Sequence, residues 1–490
     1  MRALLVTSVG ITCAAALTLP LAAPALSAPP PHSASALPPE SPGAGPPSVR
    51  AAELPAAESA GSTQSLPLEP LAAPSDRVAG AAAGQGLERR TARPFSLVGV
   101  VWDDAEAELH GTVQVRTRAA GSASWSDWQD VETHNAEHAA DLGSDERSSG
   151  AVRGATAPLW VGDSDGVEVR VRPEPADPQD RSEAAPLPEG LRLELVDPGP
   201  DPAPEHAEEA APEPARAAPV GRTATAAAFA LNPSPPTTTP AVVPEVLTAE
   251  AEAASAVNAE LAPLGASVIP ALTKAETEEA ANVAPGAKPY IGPRPGIITR
   301  KGWGADEKLR ERQFAYTKTV KAAFVHHSAT GNNYTCKQAP SVLRSIYRYH
   351  VKSSGWRDFG YNFAVDKCGN IYEGRAGGVT KAVLGAHTLG FNTNTMGIAV
   401  LGSYSSTNPP AAAVTAVSKL TAWKLGLFGA NPKGKVTLTS GGSNKYKAGA
   451  KVKMNVISGH RDGFATECPG ARLYKKLGKA RTSSAKLQGR

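Results

Sequence analysis

Two long stretches rich in proline and alanine constrain this chain more than any other feature. Residues 29–89 and 198–285 contain few large apolar side chains, so they cannot bury enough surface to offset the entropy lost on ordering. We expect the first to be disordered and the second to be a linker with some transient helix. The 490 residues therefore divide into two regions able to fold, 90–197 and 286–480, followed by a basic tail at 481–490.

Residues 1–28 have the pattern of a secretory signal peptide. Met1-Arg2 supplies a positive start, residues 3–23 are almost wholly apolar or small, and small residues near the end suit cleavage. An uncleaved membrane anchor is the alternative, which Pro20 and Pro24 disfavour. No later segment has about 20 consecutive apolar residues, so we expect a secreted or wall-associated mature chain without a membrane span.

Secretion would place the four cysteines in an oxidising compartment. Cys13 leaves with the signal, so three remain. Cys336 lies in the loop after a strand that ends at His326, and Cys368 lies at the tip of a predicted hairpin. A disulfide between these two would tie the loop down. Cys468 is then the odd thiol, free for another role.

The region 90–197 alternates apolar and polar residues over short segments, such as 111–117 and 167–171, which indicates half-buried strands. We predict a small all-β domain of β-sandwich type with a binding or spacing role and no catalytic constellation. Three tryptophans are favoured as core anchors over a ligand platform: Trp125, Trp128 and Trp160. Three histidines lie in polar surroundings and are expected to be solvated: His110, His134 and His138.

Charge divides the chain in the same place. Residues 286–490 hold 33 Lys and Arg against 8 Asp and Glu, a net charge of +25. Because the whole chain is +3, residues 1–285 carry −22. A cationic region should be drawn to a polyanion. In a secreted protein anionic wall polymers fit better than nucleic acid, whose usual motifs are absent. Alternatively, the lysines at 433–453 only aid solubility.

The C-terminal region has the pattern of an α/β domain, with a mixed central β-sheet flanked by helices. Buried strands alternate with period two, and helices show apolar residues at helical spacing. The predicted strands are 319–326, 361–366, 370–373, 396–402 and 456–457, with a hairpin at about 434–454. The predicted helices are 339–352 and about 411–426.

Two histidines and one cysteine in this region suggest a metal. His326 closes a strand where small polar residues begin, so its imidazole can point into a cleft, whereas adjacent His327 points to the opposite face. His460 and Cys468 lie eight residues apart on a segment whose glycines and Pro469-Gly470 favour a loop. Both can therefore face one ion, although the spacing alone also fits a buried thiol beside a surface histidine.

Seven motifs, in order over about 290–475, resemble the peptidoglycan recognition protein / N-acetylmuramoyl-L-alanine amidase family. A lead-in segment at Ile298–Gly304 is also similar. The motifs in this sequence are His326-His-Ser-Ala, Gly355–Phe363 (GWRDFGYNF), Tyr372-Glu-Gly-Arg375, Gly385-Ala-His387, Gly390-Phe-Asn392, Gly397–Gly402 (GIAVLG) and Gly459–Gly470 (GHRDGFATECPG).

The resemblance implies a Zn²⁺ ion held by His326, His460 and Cys468. Three protein ligands leave the fourth tetrahedral position open for water, whose pKa the metal lowers toward about 7. The implied substrate is peptidoglycan or its muropeptides. The implied reaction is hydrolysis of the amide between the lactyl group of N-acetylmuramic acid and L-alanine.

The resemblance also implies roles for five other residues. Tyr361 falls on the catalytic tyrosine, whose phenol can donate to the water or to the developing oxyanion. Thr466 falls on a position that can hydrogen-bond the tetrahedral intermediate without supplying charge. His387 is implied to contact substrate or oxyanion, and Asn392 and Arg375 are weaker candidates for substrate contact.

Three other hypotheses remain. The first is a peptidoglycan-binding module without catalysis. The second is a hydrolase with Cys468 as nucleophile and His460 as base, which leaves His326 and Tyr361 without roles. The third is a wall-bound structural protein whose β region carries the function. The presence of all three implied ligands together with Tyr361 favours an enzyme.

Overall fold

A computed structural model describes residues 61–71, 84–133, 135–175, 185–202, 247–282 and 289–490. The predicted signal peptide lies outside these residues, so secretion stays a prediction. In the part of the chain that is described, no helix is both long and apolar enough to span a bilayer.

The N-terminal strands form an antiparallel sheet, which we call the β domain, with β3 and β7 as its long central members. Register shifts along β3 bend these strands. The predicted small all-β domain is confirmed, and Val167, Val169 and Val171 of β7 are buried as their alternation predicts. The strands are β1 (Ser62–Pro67), β2 (Glu69–Pro70), β3 (Gln85–Trp102), β4 (Gly111–Ala119), β5 (Gln129–Val131), β6 (Gly154–Ala155), β7 (Leu159–Pro173) and β8 (Arg192–Asp197).

The rest of the described chain forms the C-terminal domain around a seven-stranded mixed sheet in the order β17-β11-β14-β12-β13-β10-β9, which confirms the predicted α/β fold. Its strands are β9 (Val268–Ile269), β10 (Ile297–Ile298), β11 (Ala322–His327), β12 (Phe363–Val365), β13 (Ile371–Glu373), β14 (Thr395–Val400), the hairpin pair β15 (Lys435–Thr439) and β16 (Lys451–Asn455), and β17 (Ile457–Gly459). Its helices are α1 (Ala249–Ala256), α2 (Lys274–Ala280), α3 (Ala339–Arg348), α4 (Ala411–Leu427), α5 (Ala471–Tyr474) and α6 (Leu477–Gln488).

The two faces of this sheet are covered differently. Along β14, Met396, Ile398 and Val400 pack in the cluster that includes residues of α4 and α6. Ala399, on the other face, packs in the cluster that includes α3. This alternation is the period of two that the sequence showed. Because side chains alternate along β11, His326 lies on the face opposite to Val325 and His327. It therefore points toward the α3 side.

The β domain packs directly on the α3 side, and both domains belong to one compact unit. Leu97 and Val101 of β3 join the cluster of α3, while Val98 and Val100 face the core of the β domain. At Gly99 a Cβ would collide with the hydroxyl of Tyr349. The absence of a side chain lets Tyr349 come close to β3, where its hydroxyl donates to Thr156 O at 3.1 Å. The domains are therefore joined by a packed interface.

Several predicted boundaries are wrong. The prediction of disorder over 29–89 is wrong for β1, β2 and the start of β3. β1 pairs with β8 along its whole length. The linker 198–285 contains α1, β9 and α2, and β9 joins the C-terminal sheet through β10, so that domain begins before residue 286. The tail 481–490 forms most of α6, which packs on α4. The strands β1 and β9 are ordered by pairing with another strand, and α6 is ordered by packing on α4.

The tryptophan prediction holds in part. Trp160 is buried at the interface between the domains. Trp125 and Trp128 are only half-buried, so their prediction as core residues is wrong. A guanidinium covers each of these two rings, with Arg170 4.0 Å from the Trp128 centroid and Arg89 5.0 Å from that of Trp125. Stacked arginines therefore screen them from water.

The predicted disulfide joins Cys336 and Cys368, with their Cα atoms 6.1 Å apart. Cys368 lies in the turn between β12 and β13, as the hairpin pattern predicts. Among the described cysteines, Cys468 is the free one, and it is buried.

A buried ion network gives a test of the fold. Arg300 is 2% exposed and donates to Glu307 at 2.6 Å and to Asp358 at 3.0 Å. Arg300→Ala leaves buried carboxylates without this cation, so we expect the free energy of unfolding to fall by about 3–5 kcal/mol in urea titrations. The matched control is Arg312→Ala, whose side chain is 85% exposed and which should change that quantity by less than about 1 kcal/mol. Equal losses in the two variants would contradict this account.

Candidate metal centre

Parallel pairing of β11 with β17 brings the first two candidate ligands together. Val325 pairs with Gly459, so the next residues, His326 and His460, are neighbours at the same edge of the sheet. Carboxyl ends of parallel strands are a frequent place for functional side chains. Both histidines are fully buried, and their ring centroids are 4.5 Å apart.

Cys468 returns to this edge on a tight loop. The Arg461 amide donates to Cys468 O at 3.0 Å, which closes the loop. The Cys468 amide donates to the Thr466 hydroxyl at 3.1 Å. Sγ of Cys468 lies 3.8 Å from Nδ1 of His326. Asp462 accepts from the Gly459 amide at 2.9 Å, so it holds the loop rather than contacting the metal candidates.

A fourth candidate ligand comes from the β domain. His138 is 4% exposed, and its Nε2 lies 3.2 Å from Nδ1 of His460. One ligand atom from each of His138, His326, His460 and Cys468 lies within 4.8 Å of the others. The prediction that His138 is solvated is therefore wrong, because a segment of the β domain carries it into the other domain. His110 is half-exposed as predicted, and His134 lies outside the described residues.

Two separations within this cluster are close to those of a tetrahedral Zn²⁺ site, and all of them lie within 4.8 Å. Bonds of about 2.0–2.1 Å to nitrogen and about 2.3 Å to sulfur place ligand nitrogens about 3.3 Å apart, and nitrogen about 3.6 Å from sulfur. The separations of 3.2 Å between His460 and His138 and 3.8 Å between His326 and Cys468 are close to these values. A set of imidazoles with one thiolate is also typical of zinc. The side chains therefore suit this metal in both spacing and chemistry.

Burial sets the protonation of the four groups. Desolvation, followed by the neighbouring imidazoles, holds the pKa of His138, His326 and His460 well below the usual value. These rings are neutral, which is the form that binds metals. Desolvation raises the pKa of the Cys468 thiol well above its usual range. The thiol therefore keeps its proton until a cation replaces it.

The structure brings Tyr361 and Thr466 to the same place. The Tyr361 ring centroid is 5.2 Å from that of His326. Burial, with Cys468 and Glu137 nearby, raises the pKa of Tyr361 well above its usual value, so it stays a phenol able to donate. The Thr466 hydroxyl is already engaged, because it donates to Glu137 at 2.7 Å.

His387 lies behind His326 rather than at the cleft surface. Its Nδ1 is 3.0 Å from the hydroxyl of Thr388, which is 3.4 Å from Nε2 of His326. Both histidines are fully buried. Such a chain can fix the orientation of a ligand histidine. Direct contact of His387 with substrate stays a prediction.

Arg375 and Asn392, the candidates for substrate contact, are covered by the same part of the β domain. Arg375 binds the two carboxylate oxygens of Glu146, each at 2.8 Å. Asn392 Nδ2 donates to Ala139 O and to Asp141 Oδ1, each at 2.8 Å. Both residues are buried. Neither is open to solvent in this arrangement.

Sequence reasoning missed His138 and Glu146. The stretch Ala136-Glu-His-Ala-Ala140 has no periodicity that predicts an element. Its alanines are the one local signal, because small apolar side chains beside a histidine suit a narrow cleft better than open solvent. Nothing near Glu146 indicates that its partner is Arg375, 229 residues along the chain.

Comparisons with known proteins agree with this division of the chain. Residues 51–189 match the family described as Rv3811 N-terminal galactose-binding domain-like. Residues 316–471 match the family described as N-acetylmuramoyl-L-alanine amidase.

Individual relatives match the C-terminal domain. Peptidoglycan-recognition protein SC2 of Drosophila melanogaster is 30% identical over 183 residues, which cover 37% of this chain and 84% of that protein. The N-acetylmuramoyl-L-alanine amidase of Homo sapiens is 31% identical over 187 residues, 37% of this chain and 28% of that protein. The structure of wild-type Drosophila PGRP-LB aligns with 26% identity and a TM-score of 0.29, over 37% of this chain and 91% of that one.

The protonation states predict how metal binding responds to pH. The imidazoles are already neutral and the Cys468 thiol is protonated, so binding Zn²⁺ at pH 7 should release about one proton, and affinity should fall as pH falls. Calorimetric titrations in buffers of different ionisation enthalpy measure this number. Cys468→Ala should release fewer protons and bind more weakly. An equal number of protons released by Cys468→Ala and by the unaltered chain would contradict this assignment of the proton to the thiol.

Proposed function

The chain belongs to the peptidoglycan recognition protein / N-acetylmuramoyl-L-alanine amidase family, and on that premise we propose that it is a secreted, zinc-dependent amidase. Its substrate is bacterial peptidoglycan, in which it hydrolyses the amide between N-acetylmuramic acid and L-alanine. The observation that carries the proposal is the meeting of His326, His460 and Cys468 at one sheet edge, with Tyr361 beside them.

His326, His460 and Cys468 would hold a zinc ion, which when bound would supply Lewis acidity to activate water and polarise a carbonyl. Tyr361 keeps its proton because it is buried, so it donates a hydrogen bond to the oxyanion of the tetrahedral intermediate. Thr466 holds the Cys468 amide at 3.1 Å and thus orients that ligand. Thr388, backed by His387, fixes the ring of His326.

The surroundings of Cys468 favour a ligand over a nucleophile. A nucleophilic cysteine needs a lowered pKa and a base within hydrogen-bond reach. Burial instead raises the pKa of this thiol. Desolvation lowers the pKa of His326, 3.8 Å from Sγ, so this imidazole is a weak acceptor for the thiol proton. A buried thiol beside neutral imidazoles is suited to binding a metal, which displaces the thiol proton to solvent.

The charge of the C-terminal domain supports a wall-associated role. Residues 286–490 carry +25, and peptidoglycan with its attached polymers is anionic. Long-range attraction of this kind raises the rate of encounter and weakens as salt is added. We propose that these cations keep the secreted chain on the wall.

The amidase assignment can be tested on the full chain with purified peptidoglycan. New alanine amino termini and new reducing sugar ends are counted separately, with and without a chelator. We expect alanine termini alone, lost on chelation and restored by Zn²⁺. Cys468→Ala should release none above background. Sugar ends in place of alanine termini would refute the bond assignment.

A second variant separates an enzyme from a binding module. Tyr361→Phe removes one hydroxyl and none of the metal candidates, so zinc content should be unchanged while kcat falls by about 100-fold or more. Zinc content is measured by metal analysis and kcat by alanine release. If the unaltered chain binds zinc and peptidoglycan yet releases no alanine termini, and loosening the β domain as described below does not elicit them, the non-catalytic recognition role replaces this proposal.

A further inference from the structure

The segment 135–146 of the β domain, called here the cleft segment, lies across the candidate active site. It follows β5 and carries polar groups to four candidate side chains in turn: Thr466, His460, Asn392 and Arg375. We propose that His138 of this segment is the fourth protein ligand of the metal, and that the segment occupies the substrate groove, so the two-domain chain is held in a closed, latent state. The metal and the catalytic consequence rest on the proposed function.

The position of His138 is that of a ligand. Its ring centroid is 4.4 Å from that of His460, 5.2 Å from that of His326 and 6.0 Å from that of Tyr361. A catalytic zinc site has three protein ligands and one open position, whereas a site with four protein ligands is closed. With His138 in place, the coordination shell has no position left for water or for a substrate carbonyl.

The rest of the cleft segment engages the groups that a substrate would need. Glu137 accepts from the Thr466 hydroxyl at 2.7 Å, and its carbonyl accepts from the Leu389 amide at 2.9 Å. Asp141 accepts from the Gly390 amide at 2.8 Å. A peptide substrate would compete with the segment for each of these donors.

Glu146 anchors the end of the segment. It forms a two-bond ion pair with Arg375, with the side chains 8% and 7% exposed, and it also accepts from the Arg357 amide at 3.1 Å. A buried guanidinium needs an anionic partner, and here the β domain supplies it. A carboxylate of a stem peptide is the kind of group that Glu146 excludes from this position.

Free space around the site agrees with occupancy by the segment. The cavity lined by His138, His350 and Tyr361 has a volume of only about 10 Å³, so it has room for no more than about one water molecule. A second cavity of about 500 Å³ is lined by Ala140–Glu146 together with Arg375 and Asn392. A muropeptide held in the larger cavity would therefore lie against the cleft segment, because none of the four candidate ligands lines that cavity.

The segment can move without separating the domains, because the packed interface is made elsewhere. Leu97, Val101 and Trp160 join the α3 cluster, and the Trp160 amide donates to Thr330 O at 3.1 Å. Residues 135–146 contain no strand or helix. Opening the site thus requires breaking the bonds of one loop, while the β domain stays docked.

The test uses the full chain with cobalt(II) in place of zinc and azide as a small exogenous ligand. Four protein ligands leave no position for azide, so the visible spectrum of the unaltered chain should not change when azide is added. In His138→Ala the vacated position admits azide, and the spectrum should change. His110→Ala is the matched control, since it removes an exposed histidine of the same domain, and it should behave as the unaltered chain does. An equal azide response in the unaltered chain would overturn the proposal.

Glu146→Gln gives a second test that leaves all four candidate ligands in place. Removing the charge weakens the pair with Arg375, so the cobalt spectrum should be unchanged while release of alanine termini from peptidoglycan rises. We expect at least about tenfold faster release in both His138→Ala and Glu146→Gln, because the fraction of molecules open to substrate increases. Release at the rate of the unaltered chain in both variants would refute latency and leave the amidase assignment intact. If azide behaves as expected but no variant releases alanine, the ligand assignment stands and the amidase assignment fails.

Discussion

The parallel pairing of β11 with β17 is the interaction on which the candidate site depends. These strands are separated by more than a hundred residues of chain, yet the pairing of Val325 with Gly459 sets His326 beside His460. Backbone hydrogen bonds fix that register, and a shift by one residue would turn a histidine to the opposite face. The loop that returns Cys468 starts from this point, so the third ligand depends on the same register.

Burial of polar groups explains why the two domains meet as they do. The C-terminal domain places imidazoles, a guanidinium and amides in a groove, where each needs a partner or water. The cleft segment supplies these partners through Glu137, Asp141 and Glu146. The apolar contacts of β3 with α3 hold the β domain in the position where the cleft segment can make these polar contacts. The polar pairs therefore make the docking of the two domains specific. The apolar surface buried between the domains stabilises that docking.

Local patterns accounted for much of the C-terminal fold. Alternation located β11 and β14 to within a few residues, and helical spacing located α3 and α4, because each element has one buried face and a definite period. The cysteine positions likewise predicted the disulfide between Cys336 and Cys368. Boundaries failed where strands are ordered by pairing, as in β1 and β9, since β1 is mostly polar and β9 has only two residues, so neither shows an apolar period. Trp125 and Trp128 were misplaced because arginines, rather than a core, cover them.

By itself the sequence determined which side chains are the candidate ligands, since strand ends, loop chemistry and motif order identify His326, His460 and Cys468. It also determined the family, because the matching motifs lie within one contiguous domain. Only the tertiary structure decided where His138 and Glu146 lie and which side chains they contact. Their partners lie on another domain, and contacts between distant parts of a chain depend on how finished surfaces fit together rather than on any local period. From sequence alone, a histidine in a polar loop is predicted to be solvated. Its burial becomes apparent only when the structure shows the groove of the other domain in which it lies.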